Sequence, residues 1–293
     1  MTPRYAYFPG CSAKGSCQEL DISTQAVAAR FGLELDELRD PGCTGAREFR
    51  AISEQLHLTA NGRILALAEA QGADLCVVCD TCLLNLMETN QRLKADARAR
   101  EAVNRALAEV GLEYRGTAVV KHFLWILLGD VGPDRIRAGV VRPLRGLRVA
   151  PFYGCHILRP ASVFGVGGSD EVSSLERLCE LLGAEAVPYR GATKCCGFHV
   201  VLAEERIALR MGGAHLTEAQ AGGADCLVTP CPLCHTVLDA YQPNIARELR
   251  TPLGIPILHV SQLVGLALGI SPRDLQLARH VVGAEKILGT IPV

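Results

Sequence analysis

Ten of the thirteen cysteines form two sets that run in the same order along the chain: a lone cysteine, a cysteine-containing turn, then Cys-x-x-Cys. The first set is Cys11, Cys43, Cys79 and Cys82, with Cys17 nearby; the second is Cys155, the doublet Cys195 and Cys196, then Cys231 and Cys234. Thiolates select soft metals, and four sulfurs around one point suit zinc or an iron-sulfur cluster. Compact zinc modules pair two close Cys-x-x-Cys hairpins. Here each half has one such pair, and its other sulfurs arrive from distant loops, a spacing suited to a cluster held between loops. Zinc remains the alternative at both sites.

The second site offers five thiols. Neighbouring residues have Cα atoms about 3.8 Å apart, so Cys195 and Cys196 face one centre only if the turn twists, and Gly197 supplies that freedom. A strained disulfide between the two is the bland alternative. The halves align with Gly72-Ala73-Asp74 on Gly223-Ala224-Asp225, and with Cys79 and Cys82 on Cys231 and Cys234. The same register sets Cys43-Thr44-Gly45 on Cys195-Cys196-Gly197, so Thr44 stands where the second copy has a cysteine. A competing register puts Gly42 opposite Cys195. Either way the first site lacks one thiolate.

Three histidines neighbour the second set: His156 after Cys155, His199 close behind Cys196, and His235 after Cys234. Their first-copy counterparts are Ser12, Arg47 and Leu83. Titratable groups beside one site only point to proton-coupled chemistry there, with His156 and His199 as candidate catalytic residues; the alternative role is hydrogen bonding that tunes the site. Lys194 either offsets thiolate charge or is a solvated loop residue. Cys17 reads as a spare thiol at a helix start, or as a substitute fifth ligand. Cys76, Cys179 and Cys226 lie in apolar strands or on an apolar helix face and read as buried small hydrophobes.

The elements that must hold these groups are strands alternating with helices. Tyr5 to Phe8, Leu33 to Leu38, Leu75 to Val78, Val149 to Tyr153, Glu185 to Tyr189 and Leu227 to Thr229 read as strands. Leu175, Leu178, Cys179 and Leu182 recur at helical spacing before a stop at Gly183, as do Leu20, Val27 and Phe31 before Gly32. His122 with the apolar run to Leu128, and His259 with Val260 to Leu268, read as closing helices. Each cysteine group follows a strand, and open parallel sheets gather ligands beyond their carboxyl ends. The fold expected is α/β: two pseudo-symmetric repeats, each a small parallel sheet flanked by helices with cysteine loops at the strand C-terminal ends. The boundary falls near Gly146, giving 1–145 for the altered motif and 146–293 for the intact one.

At 293 residues and 49% hydrophobic, the chain is long enough for two cores. A formal charge of -1 from 30 basic and 31 acidic residues leaves no footprint for nucleic acid. No apolar run reaches the roughly 20 residues needed to cross a bilayer, and the amino terminus has no signal-peptide core. The cysteine usage fits metal ligation in a reducing compartment, so a cytoplasmic location is expected.

The pattern Cys-x39-Cys-Cys-Gly-x33-Cys-x-x-Cys in the second half resembles the cysteine-rich motif of the heterodisulfide reductase B-type family, and the duplication extends that resemblance along nearly the whole chain. It also resembles subunits of lactate-utilisation, glycolate and glycerol-phosphate oxidation, and unusual succinate dehydrogenase complexes. The resemblance implies a noncubane [4Fe-4S] cluster on Cys155, Cys195, Cys196, Cys231 and Cys234. The first motif, Cys11, Cys43, Cys79 and Cys82, is one ligand short, which points to a [4Fe-4S] cubane or a zinc. By the same resemblance the chain is the B-type member of a complex doing disulfide, thiol or sulfane-sulfur redox chemistry, with an iron-sulfur C-type subunit and a flavoprotein A-type subunit as partners. The altered first motif points to the sulfur-oxidising branch and a lipoate-binding protein as sulfur carrier. The competing readings are a non-catalytic electron relay of a dehydrogenase complex and a zinc-stabilised scaffold.

Overall fold

The computed structural model describes residues 3–164 and 173–291. Two four-stranded parallel sheets carry the molecule. The first contains β1 (Arg4–Phe8), β2 (Glu34–Glu37), β3 (Asp74–Val77) and β4 (Val120–His122), in the order β2-β1-β3-β4. The second contains β5 (Arg148–Pro151), β6 (Glu185–Ala186), β7 (Cys226–Thr229) and β8 (Ile257–His259), in the matching order β6-β5-β7-β8. Register is equivalent in the two: Tyr5 pairs with Asp74 and Val149 with Cys226.

Parallel strands covered on both faces need continuous apolar sequence. The central β7 meets that requirement, buried along its whole length, while the edge strand β2 reads Glu-Leu-Asp-Glu and is partly solvated. Charge on an edge discourages further pairing, and Arg4 adds an ion pair to Asp36 at 2.6 Å. The expected Cys76, Cys179 and Cys226 are fully buried core residues.

The six strands expected from sequence are present, with ends shifted by up to three residues. Two more, β4 and β8, occupy the outer edges. Each is three residues long and runs without a break into an apolar helix, which hid them: His122 caps a helical segment Phe123–Val131 whose later part widens into a π turn, and His259 precedes the helix Val260–Ala267.

The repeats are packed into one another. The helix Gln18–Arg30 lies against Val260–Ala267, with Ser23 Oγ 2.7 Å from Ser261 Oγ. The amides of Val141 and Arg142 both donate to the Ala267 carbonyl at 3.0 Å. The apolar core runs continuously through both sheets.

Candidate metal centres

In a sheet ordered 2-1-3-4 the connections leave in opposite directions from its two central strands, opening a crevice at their carboxyl ends. Cys11 follows β1 and Cys79 follows β3, so the first sulfurs flank that crevice; Cys155 and Cys231 flank its counterpart. The remaining thiols swing in from the loops after β2 and β6.

In the first site Cys43 Sγ donates to Cys11 Sγ at 3.6 Å, and Thr44 Oγ1 donates to Cys82 Sγ at 3.4 Å. The bond from Cys43 lowers the Cys11 thiol to about 6. The Thr44 peptide is clamped by Asn61 and Asn85, whose side-chain amides donate to its carbonyl at 3.1 and 3.4 Å. A cavity of 150 Å³ lies among these sulfurs, closed on one side by Phe198 and Leu233 of the second repeat.

The turn itself settles the register between the copies. The Gly45 amide donates to Cys43 Sγ at 3.3 Å, and the Gly197 amide donates to Cys195 Sγ at 3.4 Å. Cys43 is therefore the equivalent of Cys195, and Thr44 occupies the place of Cys196. A second equivalence joins Gly10, beside Cys82, to Gly154, beside Cys234; both have positive φ, and a Cβ would stand 3.4 and 2.9 Å from those sulfurs. Glycine at these positions lets the backbone turn under the Cys-x-x-Cys loop.

The second site gathers all five expected thiols. Cys155 contacts Cys195, Cys195 contacts Cys196, Cys196 contacts Cys234, and Cys234 contacts Cys231. Hydrogen bonds from Cys155 and Cys196 push the Cys195 thiol far down. Cys231 also lies well below an ordinary thiol: burial opposes this, and bonds from Cys234 and Cys79 outweigh it. Thiolate character inside a buried group of sulfurs suits a soft cation, because ligation removes the remaining protons. The donor set therefore fits an iron-sulfur cluster. The Cys79 to Cys231 contact also joins the two sites into one run of sulfur.

His156 and His199 line the second site together, with ring centroids 5.3 Å apart. His156 Nδ1 lies 2.8 Å from Thr81 Oγ1, and burial lowers its basicity. His199 Nδ1 faces Glu48 of the first repeat at 3.5 Å. His235 differs from the sequence expectation: its ring turns away from the sulfurs, with Nε2 3.1 Å from the Ile257 carbonyl and 3.3 Å from His280 Nδ1. Cys17 also turns away, towards Thr236 Oγ1 at 3.6 Å. Lys194 is exposed.

Three participants were missed. Asp80 and Thr81, between Cys79 and Cys82, reach across to the second site. Asp80 is 1% exposed, its carboxyl raised well above the usual range by burial and then by Cys231 and Cys82, with His122 Nε2 at 3.5 Å. The polar pair where the second copy has Pro232-Leu233 was a legible signal. His215, whose Nε2 meets the Cys195 carbonyl at 2.9 Å from the helix Glu205–Ala221, had none.

Two parallel sheets presenting paired crevices of thiols define a duplicated cysteine-rich redox fold. The profile of the cysteine-rich domain CCG matches residues 5–87 and again 149–239. The chain belongs to that family, the one that includes the B-type components of heterodisulfide reductases. It is 38% identical to the 8-methylmenaquinol:fumarate reductase membrane anchor subunit of Wolinella succinogenes over 98% of this chain and all of that one. It is 31% identical to the B component of the ferredoxin/F420H2-dependent CoB-CoM heterodisulfide reductase of Methanosarcina acetivorans, covering 98% of this chain and 97% of the relative. A hypothetical protein from Helicobacter pylori, of known crystal structure, shares the fold at a TM-score of 0.76 and 18% identity; the match covers 97% of this chain and 52% of that one, so this chain spans about half its length. Among the described residues no helix is long and apolar enough to cross a membrane.

Proposed function

We propose that this chain is an iron-sulfur subunit of a multi-subunit oxidoreductase, with Cys155, Cys195, Cys196, Cys231 and Cys234 holding a noncubane [4Fe-4S] cluster. Cys11, Cys43, Cys79 and Cys82 hold a [4Fe-4S] cubane or a zinc, and the repeats divide at 145/146. The observation that carries the reading is the convergence of five thiols beside two histidines. A bound cluster supplies one-electron redox chemistry and sulfur-seeking iron. The protein supplies the rest: Thr81 fixes the His156 ring, Glu48 faces His199, and the two imidazoles stand ready to give or take a proton as a sulfur group arrives or leaves. The activity proposed is disulfide, thiol or sulfane-sulfur redox chemistry in a cytoplasmic complex. The partners are an iron-sulfur C-type subunit, a flavoprotein A-type subunit and, for sulfane sulfur, a lipoate-binding protein.

A second reading is an electron-conducting subunit that carries no sulfur substrate; it draws on the relative from Wolinella succinogenes, whose complex is named for a menaquinol:fumarate reaction without a sulfur reactant. The sulfur contact from Cys79 to Cys231 serves either role.

Iron, sulfide and zinc analysis of anaerobically purified protein tests the centres. About eight irons per chain indicate two four-iron sites and about four indicate one; colourless, iron-free protein after anaerobic preparation overturns both readings. Electron paramagnetic resonance separates them. A thiol or persulfide substrate shifts the second-site signal in an enzyme, and leaves it unchanged in a conductor.

A further inference from the structure

Behind the second sulfur site, four buried side chains from the two repeats meet: Cys17 and Glu19 at the start of the helix Gln18–Arg30, His235 just after the second Cys-x-x-Cys, and His259 at the end of β8. They are 3%, 3%, 4% and 0% exposed, and each offers a ligand atom within 4.8 Å of the others. We propose that Cys17, Glu19, His235 and His259 form a binding site for a zinc-like divalent cation that staples the two repeats together.

The chemistry is that of a borderline metal, one thiol, one carboxylate and two imidazoles. His259 Nε2 and Glu19 Oε1 lie 3.3 Å apart. Ligands about 2.0–2.3 Å from a tetrahedral zinc sit about 3.3–3.8 Å from one another, so this pair already has the needed spacing. Arg279 holds Glu19 Oε2 at 3.4 Å, which turns Oε1 towards His259. His235 Nε2 faces the Ile257 carbonyl, the partner that metal-bound histidines commonly use for their distal N–H, and this leaves Nδ1 as its ligand atom. Among the described residues Cys17 Sγ makes long contacts, 3.6 Å to Thr236 Oγ1, 3.8 Å to Ser16 Oγ and 3.9 Å to the Pro232 carbonyl. The rings of His235 and His259 are nearly parallel, with centroids 4.1 Å apart, so one of them rotates to share an ion.

Charge and burial agree with this assignment. A divalent ion with one carboxylate and one thiolate makes a neutral centre, the form that a water-excluded interior tolerates. His280 and Asp239 complete a flanking group with His235.

The test is metal analysis and zinc-edge X-ray absorption on anaerobically purified full-length chain, with Cys82→Ser as a control for zinc at the first sulfur site. The expected result is a zinc with one sulfur and three nitrogen or oxygen neighbours, retained in Cys82→Ser. It falls at least about tenfold in occupancy in Glu19→Gln and His259→Gln. Cys17→Ser is expected to lose the sulfur neighbour and the sulfur-to-metal charge-transfer band of the cobalt-substituted protein. Zinc bound only by sulfur, or zinc content indifferent to Glu19 and His259, overturns the proposal. Where a variant does not fold, the wild-type spectrum still reads the site, because zinc among the first-site thiols adds only sulfur neighbours to the average, and nitrogen or oxygen neighbours report Glu19, His235 and His259.

Discussion

Restoring the lost thiolate tests the equivalence between the two turns. Thr44→Cys is expected to place Sγ where Oγ1 now approaches Cys82 at 3.4 Å, because Asn61 and Asn85 clamp the Thr44 carbonyl and keep the side-chain direction. The substitution removes one hydroxyl-to-sulfur hydrogen bond, about 0.5–1.5 kcal/mol, and one buried methyl, about 0.8 kcal/mol. Without metal the variant is therefore about 1–2 kcal/mol less stable. Gly42→Cys, the change required by the competing register, costs a similar about 1–2 kcal/mol through left-handed backbone, since Gly42 has φ +78, and its Cβ points into open space. The two variants match in stability and differ in metal. After anaerobic reconstitution, Thr44→Cys is expected to show at the first site a resonance like that of the second, and Gly42→Cys to behave as wild type. A gain in Gly42→Cys, or none in Thr44→Cys, refutes the equivalence drawn from the Gly45 and Gly197 amides.

The reciprocal Cys196→Thr is expected to convert the second site to a four-thiol site, seen as loss of its distinctive resonance with the fold intact by circular dichroism. Gly154→Ala brings a Cβ within 2.9 Å of Cys234 Sγ against 3.4 Å for Gly10→Ala, at similar positive φ, so its iron occupancy falls further than the roughly 1–3 kcal/mol backbone strain common to both explains; equal iron loss contradicts this. Thr81→Val frees the His156 ring at a cost of about 0.5–1.5 kcal/mol, and is expected to change the pH profile of turnover, whereas Glu48→Gln, an exposed partner, shifts the melting temperature little. Burial holds His122 and His280 at about 4, against about 6.5 when unfolded. Their neutral forms support the fold fully above pH 6.5, and that support drains as pH falls towards 4, by up to about 1.4 kcal/mol per pH unit for each. A melting temperature that does not drop between pH 7 and pH 5, or a His280→Gln variant whose drop is as steep, counts against the assignment.

The repeats and their thiols were legible because Cys, Gly and short apolar runs recur in one order, and parallel sheets put such loops at one end. The edge strands escaped because Val120-Lys121-His122 and Ile257-Leu258-His259 merge into helices without a turn residue. What sequence could not show was the contact between repeats. Thr81 meeting His156, Glu48 meeting His199 and Cys17 meeting Thr236 depend on how one half is rotated against the other, and no spacing within either half encodes that. His235 misled for the same reason: adjacency to Cys234 on a helix sends its ring to the opposite side.

Because Cys79 rests on Cys231 and the Asp80-Thr81 step walls the opposite crevice, neither half is an autonomous module. A fragment ending at the central linker leaves its partner's sulfurs facing water, open to oxidation and scrambling. Biogenesis follows accordingly: both halves dock before either set of thiols is enclosed, so metal insertion is expected as one assembly event for the whole chain.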